Sequence, residues 1–406
     1  MKFEKEAWIN AIGLAVMLVV GACATQLAGA VDNEKVLYRF KGGTDGKYPY
    51  GSLTRDAKGN LYGTTYFGGA SGAGTVFRLG KTGKQKVLHS FTGGKDGGYP
   101  VAGVIMDAAG NLYGTTLQGG DFGAGTVFKV DTTGHETVLY TFTGAYDGAF
   151  PYAGLMMDAA GNLYGTASSG GFPPYTGLVF KLDTTGHETV LYYFMNKGDG
   201  AYPLAGVIMD ANGNVYGTTY YGGTSGAGTV FKVDGAGTET VLYSFTGGND
   251  GSNPVAGVTM DGKGNLYGTT EFGGSSPDCG PLGCGVVFKL DTTNKETVLH
   301  TFGGAGGEGA NPTAGLLLDA KGNLYGTTEY GGGGSNGAGM AFKLDKTGKE
   351  TKLEVFTGGT DGGFPYAGLI RDSAGNLYGT GQLGGNLSDC TNNISNGCGV
   401  VFKITP

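Results

Sequence analysis

Gly59-Asn60-Leu61-Tyr62-Gly63-Thr64 is the stretch on which the reading of this chain turns. It recurs with its asparagine at Asn111, Asn162, Asn214, Asn265, Asn323 and Asn376, and only the fourth copy changes the leucine, to Val215. Successive copies stand 51, 51, 52, 51, 58 and 53 residues apart. A period of this size marks a repeat architecture. Working outward through the second copy, Ala102 to Asp107 is a short apolar run, and Asp107-Ala108-Ala109-Gly110-Asn111 reads as a tight hairpin turn. Gly110 would supply the positive φ that such a turn needs. Asn111 to Thr116, Thr126 to Asp131 and Glu136 to Phe142 follow, separated by glycine-rich or Thr-Gly turns. β-Branched and aromatic residues fill all four runs and no 3.6-residue period is present, so each repeat is a meander of four antiparallel strands.

The two ends decide how the repeats are arranged. Glu34 to Phe40 matches a lone fourth strand, whereas the last repeat stops at Val400 to Ile404, a third strand. The missing strand of the seventh repeat therefore stands at the N-terminus, and pairing the two ends removes an open edge. The expected fold is all-β: a seven-bladed β-propeller with four antiparallel strands per blade, closed in a 3+1 manner by the N-terminal strand completing the last blade. The first strand of each repeat should lie innermost. Gly63 and Gly114 are expected near the axis, where blades crowd, and the motif tyrosines between blades.

Glycine is unusually abundant at 86 of 406 residues, but with a period present these are turn positions of an ordered chain. The net charge is -7 and no basic run exists, which argues against nucleic acid as a partner. A short charged start, an apolar run from Ala11 to Val20 and small residues thereafter read as an export leader. Residues 1–30 are thus expected to be a signal peptide or lipoprotein signal, and residues 34–406 a single propeller domain. Cleavage after Ala28-Gly29-Ala30 would release a soluble protein; Val20-Gly21-Ala22-Cys23 resembles a lipobox and would leave Cys23 lipidated; a retained anchor is the third option. Membrane contact is expected only through such an anchor. Cys279 with Cys284, and Cys390 with Cys398, each lie in one loop before Gly-Val-Val-Phe-Lys, and two local disulfides fit an exported protein better than a zinc site.

Asn-Leu-Tyr-Gly-Thr-Thr, Gly-Thr-Val-Phe-Lys and Val-Leu-Tyr-Ser-Phe together resemble the bacterial tandem repeat called GloVer, from Val36 to Ile404. The resemblance implies an exported, variously anchored protein and carries no established activity. The order Pro-x-x-Gly-Val-x-x-Asp-x-x-Gly-Asn-Leu-Tyr is similar, more loosely, to propellers of the NHL and gluconolactonase kind, which bears on fold more than chemistry.

Candidate chemistry is sparse. His89 and His300 fall on fourth strands and His135 and His187 in turns, so none is expected at the channel. The sole tryptophan, Trp8, lies in the leader. Asp56, Asp107, Asp158, Asp210, Asp261, Asp319 and Asp372 recur in every blade and read as turn caps. A second register, Asp45, Asp96, Asp147, Asp199, Asp250, Glu308 and Asp361, lies in the loop leading into each blade. These acids fit Asx turns before glycine better than an acidic ring or a calcium site, and no cofactor is otherwise implied. Function should lie where the repeats disagree. Tyr48, Tyr50, Tyr99, Tyr152, Tyr202 and Tyr366 flank the lead-in prolines and are candidate ligand-binding residues, together with Arg55 and Arg371, which break the apolar first strands of blades 1 and 7. Exposed tyrosines near acids suit sugar stacking or a protein partner. The arginines would hold an anion beside the channel or pair with acids at the seam. The expected protein is a monomeric, exported or surface-attached binding or scaffold propeller that recognises an extracellular glycan or surface protein. The alternatives are an extracellular lactonase-like hydrolase or polysaccharide lyase, or a purely structural adhesion component.

Overall fold

Each repeat starts from a turn clamped by its own aspartate. In blade 1 the Asp56 carboxylate accepts from the Asn60 backbone N–H (2.8 Å), the Asn60 side chain (2.6 Å) and the Tyr62 hydroxyl (3.2 Å), while Gly59 closes the turn at φ +81°. The same triad of bonds recurs through to Asp372 with Asn376 and Tyr378. Burial raises the Asp56 pKa, but these donors outweigh it and hold the carboxyl below its ordinary range. The asparagine and tyrosine of the motif are therefore explained by the turn that precedes them.

The computed structural model describes residues 33–406 apart from 305–306, 334–336, 386–387, 389 and 391–395. The leader and Cys23 lie outside the described residues. Seven four-stranded antiparallel sheets form the seven blades of a β-propeller. Blade 1 runs Thr54–Arg55, Leu61–Thr65, Thr75–Leu79 and Gln85–Ser90, from first strand to fourth. Blade 7 takes Ile370–Arg371, Leu377–Gly381 and Val400–Ile404 from the C-terminal end and Glu34–Arg39 from the N-terminal end, with Glu34 opposite Ile404. The 3+1 closure is as the sequence implies.

Two contacts repeat around the ring and join each blade to the next. The phenylalanine that follows each fourth strand meets the third-strand phenylalanine of the following blade, edge-on as in Phe91 with Phe128 (5.0 Å) and Phe245 with Phe288 (5.1 Å), and tilted for Phe356 with Phe402 (4.9 Å). Phe40 makes this contact with Phe77 across the closure (5.2 Å). All these rings are essentially fully buried. Nearer the axis, the first threonine after the motif glycine donates to a backbone carbonyl of the next blade: Thr115 to Ala153 (2.8 Å), Thr218 to Ala256 (2.9 Å) and, closing the ring, Thr380 to Gly51 (3.4 Å). That link explains why the first strands pair over only two residues, such as Ile105–Met106, rather than the six expected. Their upstream carbonyls face the neighbouring blade.

The motif glycines correct the expectation placed on them. Gly63 is opposite Phe77 in the strand register, and a Cβ there would sit 2.9 Å from the phenylalanine Cζ. Gly114 stands in the same relation to Phe128. The absent side chain makes room for a ring, not for the axis. Axial crowding falls instead on glycines just before the first strands: a Cβ on Gly103 would lie 1.9 Å from the Ser52 carbonyl oxygen, and one on Gly51 2.2 Å from the Gly103 nitrogen.

Both expected disulfides are present, Cys279–Cys284 and Cys390–Cys398, with Cα separations of 5.4 and 5.5 Å. Cys284 and Cys398 take the place of the buried alanine that blades 1 and 6 carry as Ala73 and Ala338. Among the described residues no helix is long and apolar enough to cross a membrane.

Candidate functional site

In a meander the lead-in loop and the loop between second and third strands emerge on one face, and the two remaining turns on the other. The first face carries the proline-flanking residues. The residue before each lead-in proline has left-handed backbone in every blade: Tyr48, Tyr99, Phe150, Tyr202, Asn253, Asn311 and Phe364, with φ between 54° and 59°. This conformation is strained for an aromatic residue, and doubly so before proline. It is held at both ends. Tyr99 N–H donates to the Ala73 carbonyl of the previous blade (2.7 Å), and its carbonyl accepts from Leu117 in its own blade (3.3 Å). The rings lie against neighbouring loops, as Tyr48 on Phe67 (6.0 Å) and Tyr202 on Tyr221 (6.0 Å). Tyr48 is buried, and Tyr99 and Tyr202 are half-buried. The geometry gives these three a blade-joining role that spacing alone did not reveal.

The residues after the prolines form a ring at the channel mouth: Tyr50, Val101, Tyr152, Leu204, Val255, Thr313 and Tyr366. Tyr152 and Tyr366, from blades 3 and 7, meet across the channel with their hydroxyls 3.1 Å apart. Tyr50 packs edge-on against Tyr366 (5.5 Å) and Tyr66 (5.4 Å), and its hydroxyl accepts from the Gln382 amide (2.5 Å). Burial pushes the Tyr152 hydroxyl to about 12. The cavity they border is about 300 Å³ and is otherwise lined by alanine, glycine and small aliphatic residues of the first strands, including Ala102, Ala205 and Ala314.

A second ring lies just outside, one residue from the end of each second strand: Tyr66, Leu117, Ser168, Tyr220, Glu271, Glu329 and Gln382. Here blades 5 and 6 place two carboxylates side by side. Glu271 accepts from the Tyr220 hydroxyl (3.0 Å). Burial raises Glu271 to about 7; burial and then the charge of Glu271 raise Glu329 to about 7. Neither had been singled out from the sequence. The signal available was an acidic residue where the other five repeats hold tyrosine, leucine, serine or glutamine.

Arg55 and Arg371 are not brought to this mouth. Each immediately precedes an Asp-x-x-Gly-Asn turn and so lies toward the opposite face. Arg371 stands 3.8 Å from Asp319 and 5.5 Å from the Tyr325 ring centroid, both in blade 6, while Arg55 lies over the Tyr378 ring of blade 7 (5.9 Å). Both bridge adjacent blades.

The lead-in aspartates are occupied locally. Asp147 accepts from the Tyr140 hydroxyl (3.1 Å), the Thr143 N–H (2.8 Å) and the Thr143 hydroxyl (2.5 Å), and Asp45 from Tyr38 (2.8 Å) and the Lys41 N–H (3.0 Å). Among the described residues no three His, Cys, Asp or Glu side chains gather as a metal site would require. Four of the lead-in aspartates, Asp96, Asp147, Asp199 and Asp250, also face the first glutamate of the next fourth strand. Burial, then the neighbouring aspartate, raises Glu136, Glu188, Glu239 and Glu296 from 4.5 to about 7. One oxygen of each is buried without a hydrogen-bond partner. A carboxyl whose folded pKa is raised contributes stability that is complete below its unfolded pKa and disappears as pH rises through the folded value. Here that window runs from 4.5 to about 7. The turn-capping aspartates, held low, act only below 3.8. The thermal midpoint should therefore fall by several degrees between pH 5 and pH 8, and E136Q/E188Q/E239Q/E296Q should flatten the slope. A wild-type midpoint that rises or stays level over that range contradicts the assignment.

All six large apolar side chains that stand exposed among the described residues are on the lead-in face: Phe122, Tyr146, Phe172, Tyr175, Tyr221 and Leu282. They concentrate on blades 2 to 4. Tyr146 and Phe172 touch at 4.9 Å, and Phe172 rests on Tyr193 at 4.9 Å. Their source is legible in retrospect. Phe172-Pro173-Pro174-Tyr175 replaces the small, glycine-rich loop of the sibling repeats.

A closed seven-bladed propeller with one aromatic face and a roofed, alanine-lined channel defines the class of protein. Within that class, the chain belongs to the family of the Gloeobacter/Verrucomicrobia repeat, whose model matches residues 25–231, 151–282 and 208–406. No curated protein matches it. Among solved structures it is similar to the extracellular domain of a candidate one-component system of Bacteroides thetaiotaomicron (TM-score 0.53, 9% identity, 87% of this chain and 38% of that one). It is also similar to PorZ, a surface component of the type-IX secretion system of Porphyromonas gingivalis (TM-score 0.51, 14% identity, 88% and 46%). A candidate 6-phosphogluconolactonase from Bacteroides uniformis gives a TM-score of 0.50 at 16% identity, over 81% and 88%. The chain spans less than half the length of the first two. At these identities the likeness concerns the fold.

Proposed function

We propose that this chain is an exported binding propeller that docks an extracellular glycan on its lead-in face. The observation that carries the reading is the one-sided placement of every exposed large apolar side chain among the described residues. Scattered exposed apolar residues need no explanation, but a gathered patch marks an interaction surface. Tyrosine and phenylalanine offer flat rings to the apolar faces of sugars, with the tyrosine hydroxyl left to hydrogen-bond. The two disulfides agree with an oxidising compartment, and two of the similar folds belong to extracellular or surface components. A lactonase-like or lyase reading needs carboxylates converging within a deep polar channel. The channel here is walled mainly by glycine, alanine and aliphatic side chains, with Ser52, Thr54, Thr313 and three tyrosines as its polar members, and Glu271 and Glu329 do not line it.

Because Tyr50, Tyr152 and Tyr366 interlock over the channel, replacing them would perturb fold and binding together. Y146A/F172A/Y175A separates the two. On a glycan array followed by calorimetry on the best ligand, this variant should lose at least about tenfold in affinity, or about 1.4 kcal/mol. Its melting temperature should stay near that of the wild type. Unchanged affinity, or the absence of any glycan ligand, would remove the reading.

A further inference from the structure

We propose that the turn face of blade 1, opposite the lead-in face, is a docking surface for an anionic lipid bilayer. Docked this way, the ring would hold its lead-in face outward. The inference does not depend on what the lead-in face binds. It adds a membrane contact of the ring itself to the one expected of the leader.

Blade 1 departs from its siblings in charge. Within or beside its two turns it carries Arg55, Lys58, Arg78, Lys81, Lys84 and Lys86, where blade 3 holds Met157, Ala160, Lys181, Thr184, His187 and Thr189. It also lacks two acids. Gly80 and Gln85 replace the aspartate and glutamate that blades 2 to 6 all carry, as Asp183 and Glu188 in blade 3. Six cations thus stand against Asp56 alone, whereas blade 3 sets Lys181 against three acids, Asp158, Asp183 and Glu188.

The fold does not ask for this. In blade 2 Asp131 clamps the turn between third and fourth strands, accepting from the Thr133 N–H (2.8 Å), the Thr133 hydroxyl (2.7 Å) and the His135 N–H (2.9 Å). Blade 1 keeps that turn without the carboxylate: Gly80 N–H donates to the Lys84 carbonyl (3.0 Å) and Gly83 N–H to the Gly80 carbonyl (2.9 Å). The cations are gathered rather than scattered. A Cβ on Gly59 would lie 2.9 Å from Arg55 Nη2 and 3.4 Å from Lys81 Nζ, and Arg78 donates to the adjoining Asn60 side chain (3.1 Å). Asp56 is already engaged by Asn60 and Tyr62. Among the described residues none of the six cations is in an ion pair, and all but Arg55 are exposed.

A second observation selects the partner. The N-terminal strand Glu34–Arg39 starts on this same face, where the Asn33 carbonyl accepts from the Thr405 N–H (3.0 Å). The Lys81–Lys84 turn packs against that strand, since a Cβ on Gly83 would lie 3.4 Å from the Leu37 carbonyl oxygen. Exposed Lys35 extends the patch there. An N-terminal attachment to a membrane therefore draws this face toward the lipid. Lysines are point charges on flexible stems, and a field of them suits a fluid array of anionic headgroups better than one shaped ligand. A basic patch beside an apolar anchor also holds where the anchor alone is marginal.

Vesicle flotation of the intact chain tests this, with pure phosphatidylcholine against an equal mixture of phosphatidylcholine and phosphatidylglycerol. The wild type should partition at least about tenfold more strongly to the mixed vesicles, and added salt should shrink the difference. K58Q/K81Q/K84Q/K86Q should abolish the preference. K129Q/K181Q/K232Q/K289Q removes as many charges from four other blades and should keep it. The leader is common to every arm, and its Lys2, Glu4, Lys5 and Glu6 cancel. Lysine acylation read by mass spectrometry reports orientation: Lys81 and Lys84 should be protected on the mixed vesicles while Lys95, on the lead-in face, stays reactive. Should the fourfold patch variant lose its melting transition, K81Q/K84Q serves, and an undiminished preference there overturns the proposal. It is also overturned if the wild type shows no preference, if the preference survives in the fourfold patch variant, if the control loses it equally, or if Lys95 is protected instead. Binding of dextran sulfate without any preference between vesicles overturns it too, and assigns the patch to a soluble polyanion.

Discussion

Deletion of residues 33–40 is expected to abolish cooperative folding of the ring. Glu34–Arg39 is the fourth strand of blade 7, paired along Val400–Ile404. Removing it exposes a third strand whose residues Val400, Val401, Phe402 and Ile404 are now wholly buried. An open apolar edge of this kind invites pairing with other chains. The deletion also takes away Phe40, which carries the interblade phenylalanine contact across the seam at 5.2 Å. Its backbone N–H bond to Gly399 (3.0 Å) and the Tyr38 bond to Asp45 (2.8 Å) go with it. Truncation of one buried phenylalanine costs about 3–5 kcal/mol, against a typical total of about 5–15 kcal/mol. Size-exclusion chromatography and a circular-dichroism melt should show aggregated or molten material, and a peptide of residues 33–41 added in trans should restore a sharp transition. A monomer melting within a few degrees of the parent would mean that the other six seams hold the ring without this strand.

Gly103→Ala is the second large effect expected. The added methyl would meet the Ser52 carbonyl oxygen at 1.9 Å, backbone of the adjacent blade. In an open sheet two elements could separate by the required distance. Here each blade is already tied to both neighbours by a threonine bond and a phenylalanine contact, so relief at one seam compresses another. Overpacking typically costs about 1–3 kcal/mol, and an unyielding backbone neighbour puts this substitution at or above the upper end. Gly262→Ala is the control, because a methyl there has open space within 4 Å and no left-handed backbone to strain. Urea denaturation should separate the two variants clearly. Equal stability would show that the axis can expand.

The fold was readable because its determinants repeat. Seven asparagines, seven clamped turns and complementary ends leave little freedom in blade number or closure. What could not be read is which side chains of distant repeats meet. Tyr152 and Tyr366 lie 214 residues apart and meet hydroxyl to hydroxyl. Arg55 and Tyr50 are five positions apart, yet a short first strand carries the arginine away from the mouth that the tyrosine roofs. Proline flanks drew attention to Tyr48, Tyr99 and Tyr202, but whether such a ring faces solvent or a neighbouring loop depends on the left-handed backbone at that position. Glu271 and Glu329 carry meaning only once their blades stand side by side. The gathered rings of Tyr146 and Phe172 likewise come from two different loops of blade 3.

The tyrosine-to-glutamate gradient around the mouth has a further consequence for the entropy of binding. A ring of seven equal segments would offer an occupant seven indistinguishable settings, and with them a statistical advantage in entropy. Tyrosines on blades 1, 3 and 7 and carboxylates on blades 5 and 6 abolish that degeneracy. Any occupant of such a mouth would meet seven unequal settings, so the sevenfold statistical factor that identical blades would offer is lost.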